Sequence, residues 1–574
     1  MPVKNTDISA VLNRIADYLE IKGDNQFRVR SYRNAARSIE NLSRSAREYI
    51  DNGDDLTDLP DIGSSMAEKI LTLVETGSLP QLESLEKEID PSLLELLHIE
   101  GLGPKKVSVL HKKLHVGSLA DLKKALQNGS VQKLDGFGSK TVENIQNGIA
   151  DFESRGGNSR FSIKTAEEIA DAYVAYLTDN FLPERITVAG SYRRRKETVG
   201  DIDILATTAK PQELMDGFTS YEEIDRVISH GKTKSSVILS SGMQVDLRII
   251  DKKSYGAALQ YFTGSREHGV AVRKIAVSKG LKASEYGIFK GDKQIAGKTE
   301  EEFYRSLGLP YMEPELRENR GEIDAAQKRK LPDLITIDDI RGDIHVHSSE
   351  TDGKNTIKEM AEKAKELGYE YIAITDHSQH VTVAQGMDRD RLKKHMKRME
   401  KAHNDINGIH ILTGIEVDIL ADGSLDMDEG LLSELDVVIC SVHYKLRMPE
   451  EEQTKRILRA MDNKHCKILG HPTGRMINQR GPMSLDMDRI IKAAAESGII
   501  LELNANPDRL DLSDVYCKAA KDAGVMICIN TDAHSVDNYL FMKYGIGQAR
   551  RGWLEKDDVL NTRTYGELMK LLKR

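Results

Sequence analysis

Residues 189–207 read AGSYRRRKETVGDIDILAT, and residues 244–250 read QVDLRII. The alternation of a β-strand puts Asp201 and Asp203 on one face, two residues apart. Asp246 stands in a second apolar run and can lie beside them if the two strands are neighbours. Three carboxylates on adjacent strands repel one another unless divalent cations neutralise them. Two magnesium ions there could lower the pKa of an attacking hydroxyl and hold triphosphate oxygens. A DxD pair alone also reads as an ordinary strand end. Just upstream, Gly190, Ser191 and Arg194 supply donors for such oxygens. The runs RITVAGS and SVILSSG add further strands, so an α/β block begins after the glycine pair of ESRGGNS, 153–159.

From residue 339, short β-branched runs alternate with helical segments, the pattern of a parallel α/β barrel. GDIHVH, YIAITDH, HILTGIE, VVICSVH, KILGH and MICINTDAH each end in His, Glu or Asp, whereas GIILELNAN ends in none. The C-terminal ends of barrel strands converge on one face, so residues far apart in sequence meet there. Eleven of the sixteen histidines lie beyond residue 338, which makes this a property of one domain. The first strand offers His345 and His347 on one face, with Asp352 in the loop after it. His377, Glu416, His443, His471, Asp532 and His534 complete the set of candidate metal ligands. A mixed imidazole and carboxylate set suits manganese, zinc or iron. Arg475 and Lys445, just after metal-bearing strands, are candidate phosphate clamps, with a plain surface role as the alternative. The charged, weakly periodic ENRGEIDAAQKRKLPDLITID, 318–338, reads as a linker.

Helical patterns dominate up to about residue 155 and contain a repeat: LTDLPDIGSSMAEKI at 56–70, LLHIEGLGPKKVSVL at 96–110 and VQKLDGFGSKTVENI at 131–145. Each is a tight turn opening a helix, whose free N–H groups and dipole can hold a phosphate without reading bases. This helix-hairpin-helix pattern makes Gly101, Gly103, Lys105, Gly136, Gly138 and Lys140 candidate contacts to the DNA backbone. The first copy has Asp61 where the others have glycine and stands in an acidic stretch, so weaker binding is expected of it. Arg30, Arg33 and Arg37 in FRVRSYRNAARSI, 27–39, form either a second phosphate-contacting surface or a solvated basic face.

At 574 residues the chain is long enough for three or four domains. Its formal charge of −9 excludes a simple polycation, so any nucleic-acid contact has to be local. No apolar run approaches the roughly 20 residues of a membrane span, and the start has helical spacing at Ile8, Leu12, Ile15 and Leu19 rather than a signal peptide. Cys440, Cys466, Cys517 and Cys528 show no CxxC spacing, which fits a reducing cytoplasm.

Over residues 1 to about 318 these motifs resemble the family X DNA polymerases of the beta type. The resemblance implies that Asp201, Asp203 and Asp246 bind magnesium or manganese, with Asp246 as base for the primer 3′-hydroxyl. It implies that Gly190, Ser191 and Arg194 hold the triphosphate of a dNTP. In YFTGS, Tyr261, Phe262 and Gly264 would face the sugar, and Arg273 the nascent base pair. Lys69 falls on the family's Schiff-base lysine for 5′-deoxyribose phosphate lyase chemistry, near Tyr32 and Arg28, with phosphate binding as the alternative role. Arg28 and Ser65 each replace a family lysine.

Residues 339–574 resemble the polymerase and histidinol phosphatase (PHP) domain, with all nine ligand positions filled. The resemblance groups them as up to three metal sites: His345, His347, Glu416 and Asp532; Glu416, His443 and His471; and Asp352, His377 and His534. The expected architecture is multidomain: a lyase-like helical domain at 1–85, a helix-hairpin-helix subdomain at 86–155, an α/β nucleotidyltransferase palm at 156–258, a nucleotide-binding subdomain at 259–318, a linker at 319–338 and a distorted (β/α)7 barrel at 339–574. The expected function is gap filling on gapped or primed DNA in base excision repair by a cytoplasmic monomer. The barrel would act as a 3′–5′ exonuclease and also as a 3′-phosphatase or abasic-site endonuclease. The alternative is a small-molecule phosphatase, of the histidinol phosphate kind, fused to a DNA-binding scaffold with an inactive polymerase.

Overall fold

Local sequence pattern sets most of the elements, and the computed structural model, which describes residues 5–42, 44–99, 101–154 and 160–573, has them assembled in two units, 1–159 and 160–574. In the first unit the described residues form helices and turns only. Ile8, Leu12, Ile15 and Leu19 line the buried face of Asn5–Lys22 and join one core that runs to Ile149. The three repeats open the helices Ser64–Thr76, Pro104–Leu114 and Ser139–Ser154. Each turn needs a left-handed residue, supplied by Gly101 at φ +86° and Gly136 at φ +83°. Asp61 adopts the same region at φ +63°, which aspartate tolerates better than most side chains. Residues 155–159, including the expected glycine interruption, lie outside the described residues.

The second unit begins with a five-stranded sheet of β1 (Arg185–Val188), β2 (Asp201–Thr207), β3 (Ile224–His230), β4 (Lys234–Leu239) and β5 (Gln244–Ile249), in the order β1-β2-β5-β4-β3. β2 and β5 run parallel with Asp203 opposite Asp246, and the other pairs are antiparallel. The helices Ile163–Phe181 and Pro211–Phe218 bury Ala166, Tyr173, Leu214 and Phe218 against Ile202, Ile204 and Val245. This packing fixes which β2 side chains point the other way, the aspartates among them.

A smaller subdomain follows, with helices Tyr255–Thr263 and Arg266–Ser278, an antiparallel three-stranded sheet over 282–296 and helix Glu300–Ser306. The segment 319–338, read from its composition as a linker, holds the helix Glu322–Gln327. Its Glu322 is fully buried and accepts from His268 Nδ1 at 2.7 Å. Arg320 and Glu322 are thus spent on packing against neighbouring elements, whereas Asp324, Lys328, Arg329 and Lys330 stay exposed, as a linker's charges would.

The barrel has seven parallel strands in sequence order: β6 (Gly342–Val346), β7 (Tyr371–Ile374), β8 (His410–Asp418), β9 (Val437–Ser441), β10 (Ile468–Leu469), β11 (Ile500–Asn504) and β12 (Ile527–Asn530). A bridge between Val346 and Ala533, with His347 N donating to Ala533 O at 2.9 Å, brings the first strand to the last. Buried on both faces, these strands read as near-continuous apolar runs, so the polar side chains within them are the informative exceptions. All four cysteines are buried and free. No helix among the described residues is long and apolar enough to cross a membrane.

Candidate active sites

Strand register assembles the palm cluster. Asp203 and Asp246 face each other across the parallel β2–β5 pair, and Asp201 lies two residues before Asp203 on the same edge. Burial, then Asp201 and Asp246, push the Asp203 carboxyl up to about 7. Burial and Asp246 likewise raise Asp201. Burial opposes ionisation of Asp246 too, but hydrogen bonds from Lys234, Gln244 and Ser236 outweigh it and lower its pKa. Lys234 Nζ lies 2.9 Å from Asp246 Oδ2, and Gln244 Nε2 donates to Oδ1 at 3.0 Å. Carboxylates held this close call for further positive charge, and hard divalent ions fit an all-oxygen set.

Gly190, at φ +65°, roofs this cluster: a Cβ there would lie 3.0 Å from Asp203 Oδ2. It opens the short helix Gly190–Arg193 that carries Ser191. Arg194 follows, its Nε donating to Glu318 Oε1 at 3.0 Å and its Nη1 to the carbonyl of Thr263. Gly264 next to it has φ +75°, a conformation that favours glycine, and a Cβ there would also come within 2.9 Å of Arg194 Nη1. Tyr261 is 42% exposed, packs edge-on to Phe262 at 5.0 Å, and has the Arg273 guanidinium 5.9 Å from its ring centre. The structure thus gathers these nucleotide-site candidates around one edge of the sheet.

In the helical unit Lys105 and Lys140 are exposed beside Gly103 and Gly138. Lys69 Nζ donates to the hydroxyl (2.8 Å) and carbonyl (2.9 Å) of Ser65. The Tyr32 hydroxyl is turned to Gln81, and Arg28 to Asp24.

All nine barrel candidates meet at the C-terminal end of the strands. Glu416 is their centre: Oε1 lies 2.9 Å from His471 Nε2 and 3.3 Å from His443 Nε2, and Oε2 lies 2.9 Å from His377 Nδ1. His345 and His347 approach Oε2 at 3.5 and 3.6 Å, and His347 Nε2 lies 3.1 Å from Asp532 Oδ1. Asp352 spans His377 (3.4 Å) and His534 (3.3 Å). Three groupings bring ligand atoms within 4.8 Å of one another: His347, Asp352, His377 and His534; His345, His347 and Asp532; and His377, Glu416 and His443. His347 and His377 are therefore shared between groupings, whereas the sets expected from sequence shared only Glu416.

Charge and hydrogen bonding both indicate that cations belong here. His345 Nε2, both ring nitrogens of His347, His377 Nδ1 and Glu416 Oε2 are buried and crowd one another and the neighbouring carboxylate oxygens without the alignment of a hydrogen bond. Burial opposes the imidazolium forms, yet Glu416 and Asp352 push His377 up to about 10, and Asp352 and Asp532 push His534 up to about 9. Burial, with His534 and His377 beside it, holds His347 down to about 4. The trough thus demands positive charge that its own imidazoles supply unevenly, and the donor set fits transition-metal ions. The cavity, about 230 Å³, is also lined by Arg509 and by Val381, Val383 and Ala384.

Several supporting residues lie outside the nine. Glu502, in the strand with no metal-type ending, is fully buried; Oε1 accepts from His345 Nδ1 at 2.6 Å, and Oε2 accepts from His471 N at 2.7 Å. Asp418 Oδ1 meets His443 Nδ1 at 3.2 Å, and Asn504 Nδ2 donates to Asp532 Oδ2 at 3.1 Å. Such partners fix the ring orientation of a ligating histidine. Arg475 is no clamp: its Nη2 donates to Glu197 at 2.7 Å and its Nε to the carbonyl of Arg509 at 3.0 Å, tying barrel to palm. Lys445 is an exposed residue after β9.

Residues 160–263 match the DNA polymerase beta palm, 258–318 the DNA polymerase beta thumb and 343–506 the PHP domain. Residues 3–79 match a helix-hairpin-helix domain and 93–151 a SAM-like helix-hairpin-helix tandem. Over 99% of both chains the sequence is 39% identical to the DNA polymerase/3′-5′ exonuclease PolX of Bacillus subtilis. The chain belongs to the family X DNA polymerases that carry a C-terminal PHP domain. A probable phosphatase of Thermoanaerobacter is 30% identical over 40% of this chain and 94% of its own. DNA polymerase lambda of Rattus norvegicus is 25% identical over 55% of this chain and 56% of its own. The palm of this family X chain thus carries the aspartate edge, and its C-terminal barrel carries the imidazole trough.

Proposed function

We propose that the palm extends a primer 3′ end in gapped DNA with dNTPs, in repair, and that the barrel removes nucleotides from 3′ ends, clearing 3′-phosphates as well. The observation that carries the polymerase reading is the register pairing of Asp203 with Asp246, with Asp201 on the same edge. In this reading Asp201, Asp203 and Asp246 hold magnesium or manganese, and Asp246 accepts the proton of the primer hydroxyl. Ser191 and Arg194 hold the triphosphate, and Tyr261 and Phe262 pack against the sugar. Up to three manganese, zinc or iron ions in the trough would supply Lewis-acid charge for a phosphodiester oxygen and activate the attacking oxygen. Around them Glu502 and Asp418 hold the rings of His345 and His443 in place, while Arg509 offers positive charge to the phosphate. Gly101, Gly103, Lys105, Gly136, Gly138 and Lys140 bind the DNA backbone, and Lys69 binds a 5′-phosphate.

Asp201→Ala with Asp203→Ala should abolish extension of a gapped duplex and leave manganese-dependent 3′ nuclease activity. His345→Ala with His347→Ala should do the reverse. Extension that survives the first pair refutes the polymerase assignment. Loss of both activities with either pair refutes separate sites. The small-molecule reading draws on the phosphatase-like barrel alone. Competition between a DNA 3′ end and histidinol phosphate in the nuclease assay decides between the two substrates.

A further inference from the structure

A buried network of charges joins the nucleotide-site candidate Arg194 to the last long helix of the barrel, Met542–Arg551. Arg551, 3% exposed, donates from Nη1 to the carbonyl of Arg194 (2.8 Å) and to Glu318 Oε1 (2.8 Å), and from Nη2 to Asp514 Oδ2 (2.7 Å). The same Glu318 oxygen accepts from Arg194 Nε at 3.0 Å. Arg320 donates to the same Asp514 oxygen at 2.9 Å. Lys196 adds a fourth cation acting on both carboxylates.

Two carboxylates thus face four cations. In this state the Arg194 guanidinium is committed to Glu318 and to the Thr263 carbonyl. To meet a triphosphate it has to give up Glu318. A buried carboxylate left without a partner is heavily penalised, so Arg194 is released readily only if another cation stays on Glu318. Arg551 occupies that place and also pins the backbone of Arg194 through its carbonyl.

We propose that Arg551, a residue of the PHP barrel, is a positioning residue for the polymerase site: it holds Glu318 neutralised so that Arg194 can exchange Glu318 for the triphosphate of the incoming nucleotide. This rests on the reading of Arg194 as a triphosphate contact. Without Arg551, Glu318 keeps its grip on Arg194 and nucleotide binding weakens, while the chemical step at the aspartates is untouched.

Steady-state extension by the full-length protein tests this, with KM for dNTP and kcat separated and 3′ nuclease activity measured in parallel. Arg551→Met should raise KM about tenfold, within the 5–150-fold range typical of coupled sites, with kcat and nuclease activity nearly unchanged. Arg551→Lys, which keeps the charge but not the fork, should fall between. Adding Glu318→Gln to Arg551→Met should bring KM back toward the wild-type value, because an amide holds Arg194 less tightly; a merely structural role for Arg551 predicts no such relief. An unchanged KM in Arg551→Met, or a raised KM that Glu318→Gln does not relieve, overturns the proposal. So does a parallel fall of kcat and nuclease activity that Arg551→Lys fails to restore. Arg194→Met is the separate check: if it leaves the KM for dNTP unchanged, the triphosphate reading itself fails; if it raises KM and Arg551→Met does not, only the role of Arg551 is lost.

Discussion

Replacing Glu502 by glutamine changes one atom in a site the side chain does not enter, and it should nonetheless disable the barrel. Both carboxylate oxygens of Glu502 act as acceptors: Oε1 from His345 Nδ1 at 2.6 Å and Asn530 Nδ2 at 2.9 Å, Oε2 from the His471 amide at 2.7 Å. A glutamine amide has to point its NH2 at one of these donors, since the side chain is fully buried and water cannot relieve the contact. One buried donor facing another costs about 1–3 kcal/mol, and rotating away disturbs His345 or His471. The lost charge also removes the partner that raises the His345 pKa against burial. Changes to residues that orient a metal-bound histidine typically lower affinity or activity about 10–100-fold, which matches that energy. The expected result for Glu502→Gln is therefore a 10–100-fold loss of 3′ nuclease activity at limiting manganese, partly recovered at high manganese, with gapped-duplex extension unchanged. The assay is a manganese titration on a 5′-labelled single strand beside an extension assay on the same preparation. A half-saturating manganese concentration and a maximal rate equal to wild type would mean that Glu502 does not orient the trough, and the reasoning would be wrong.

Arg509→Met should raise the KM of the nuclease for DNA ends severalfold with extension unaffected, because Arg509 lines the trough with its Nε 3.7 Å from Asp532; an unchanged KM would remove it from the substrate site. Burial opposes the ionised forms of Glu318 and Asp514, but Arg551, Lys196 and Arg320, joined at Glu318 by Arg194, outweigh it and hold both well below the ordinary carboxylate range. Their stabilisation of the palm–barrel contact is full above the unfolded carboxylate values of about 4 and is lost as pH falls through the folded ones. Trp553, the single tryptophan and two residues from Arg551, reports this: acid titration by its fluorescence should show a transition below about pH 4 that Asp514→Asn flattens, and identical curves for the two proteins would contradict it. Gel filtration without added metal should leave transition metal in the barrel by elemental analysis while extension comes to require added magnesium; metal-free protein with undiminished extension would reverse the assignment of the two sites.

Much of this was legible because it is local or periodic. The DIDIL alternation put Asp201 and Asp203 on one edge, and six strand endings pointed to the trough. What escaped was side-chain chemistry inside apolar strands and contacts between distant segments. Glu502 lies mid-strand in ILELN, away from the strand endings that mark ligands; a lone glutamate in a strand buried on both faces is the signal it carries. Asp418, two residues after Glu416 and so on the same face, carried the same signal. Lys234 could not be found this way, since only the β4–β5 register brings it to Asp246. Arg475 follows a ligand-bearing strand as a clamp would, but its partners are Glu197 and the 509–510 carbonyls, and no local pattern distinguishes a ligand oxygen from one in another domain.

The two sites answer one electrostatic problem, crowded carboxylates, in opposite ways. In the palm three aspartates have one ammonium in direct contact, and the Asp203 carboxyl remains raised to about 7. In the barrel Asp352, Glu416 and Asp532 are surrounded by six imidazoles, and all three carboxyls are held below their ordinary values despite burial. An oxygen-only cluster short of positive charge favours hard ions with fast exchange, which can arrive with each nucleotide and leave with pyrophosphate. A nitrogen-rich cluster, its rings fixed by Glu502 and Asp418, favours borderline ions bound tightly and kept through turnover. Ligand chemistry alone therefore leads to the expectation of one site whose ions exchange with the substrate complex at every step and of another whose ions would stay while the DNA end comes and goes.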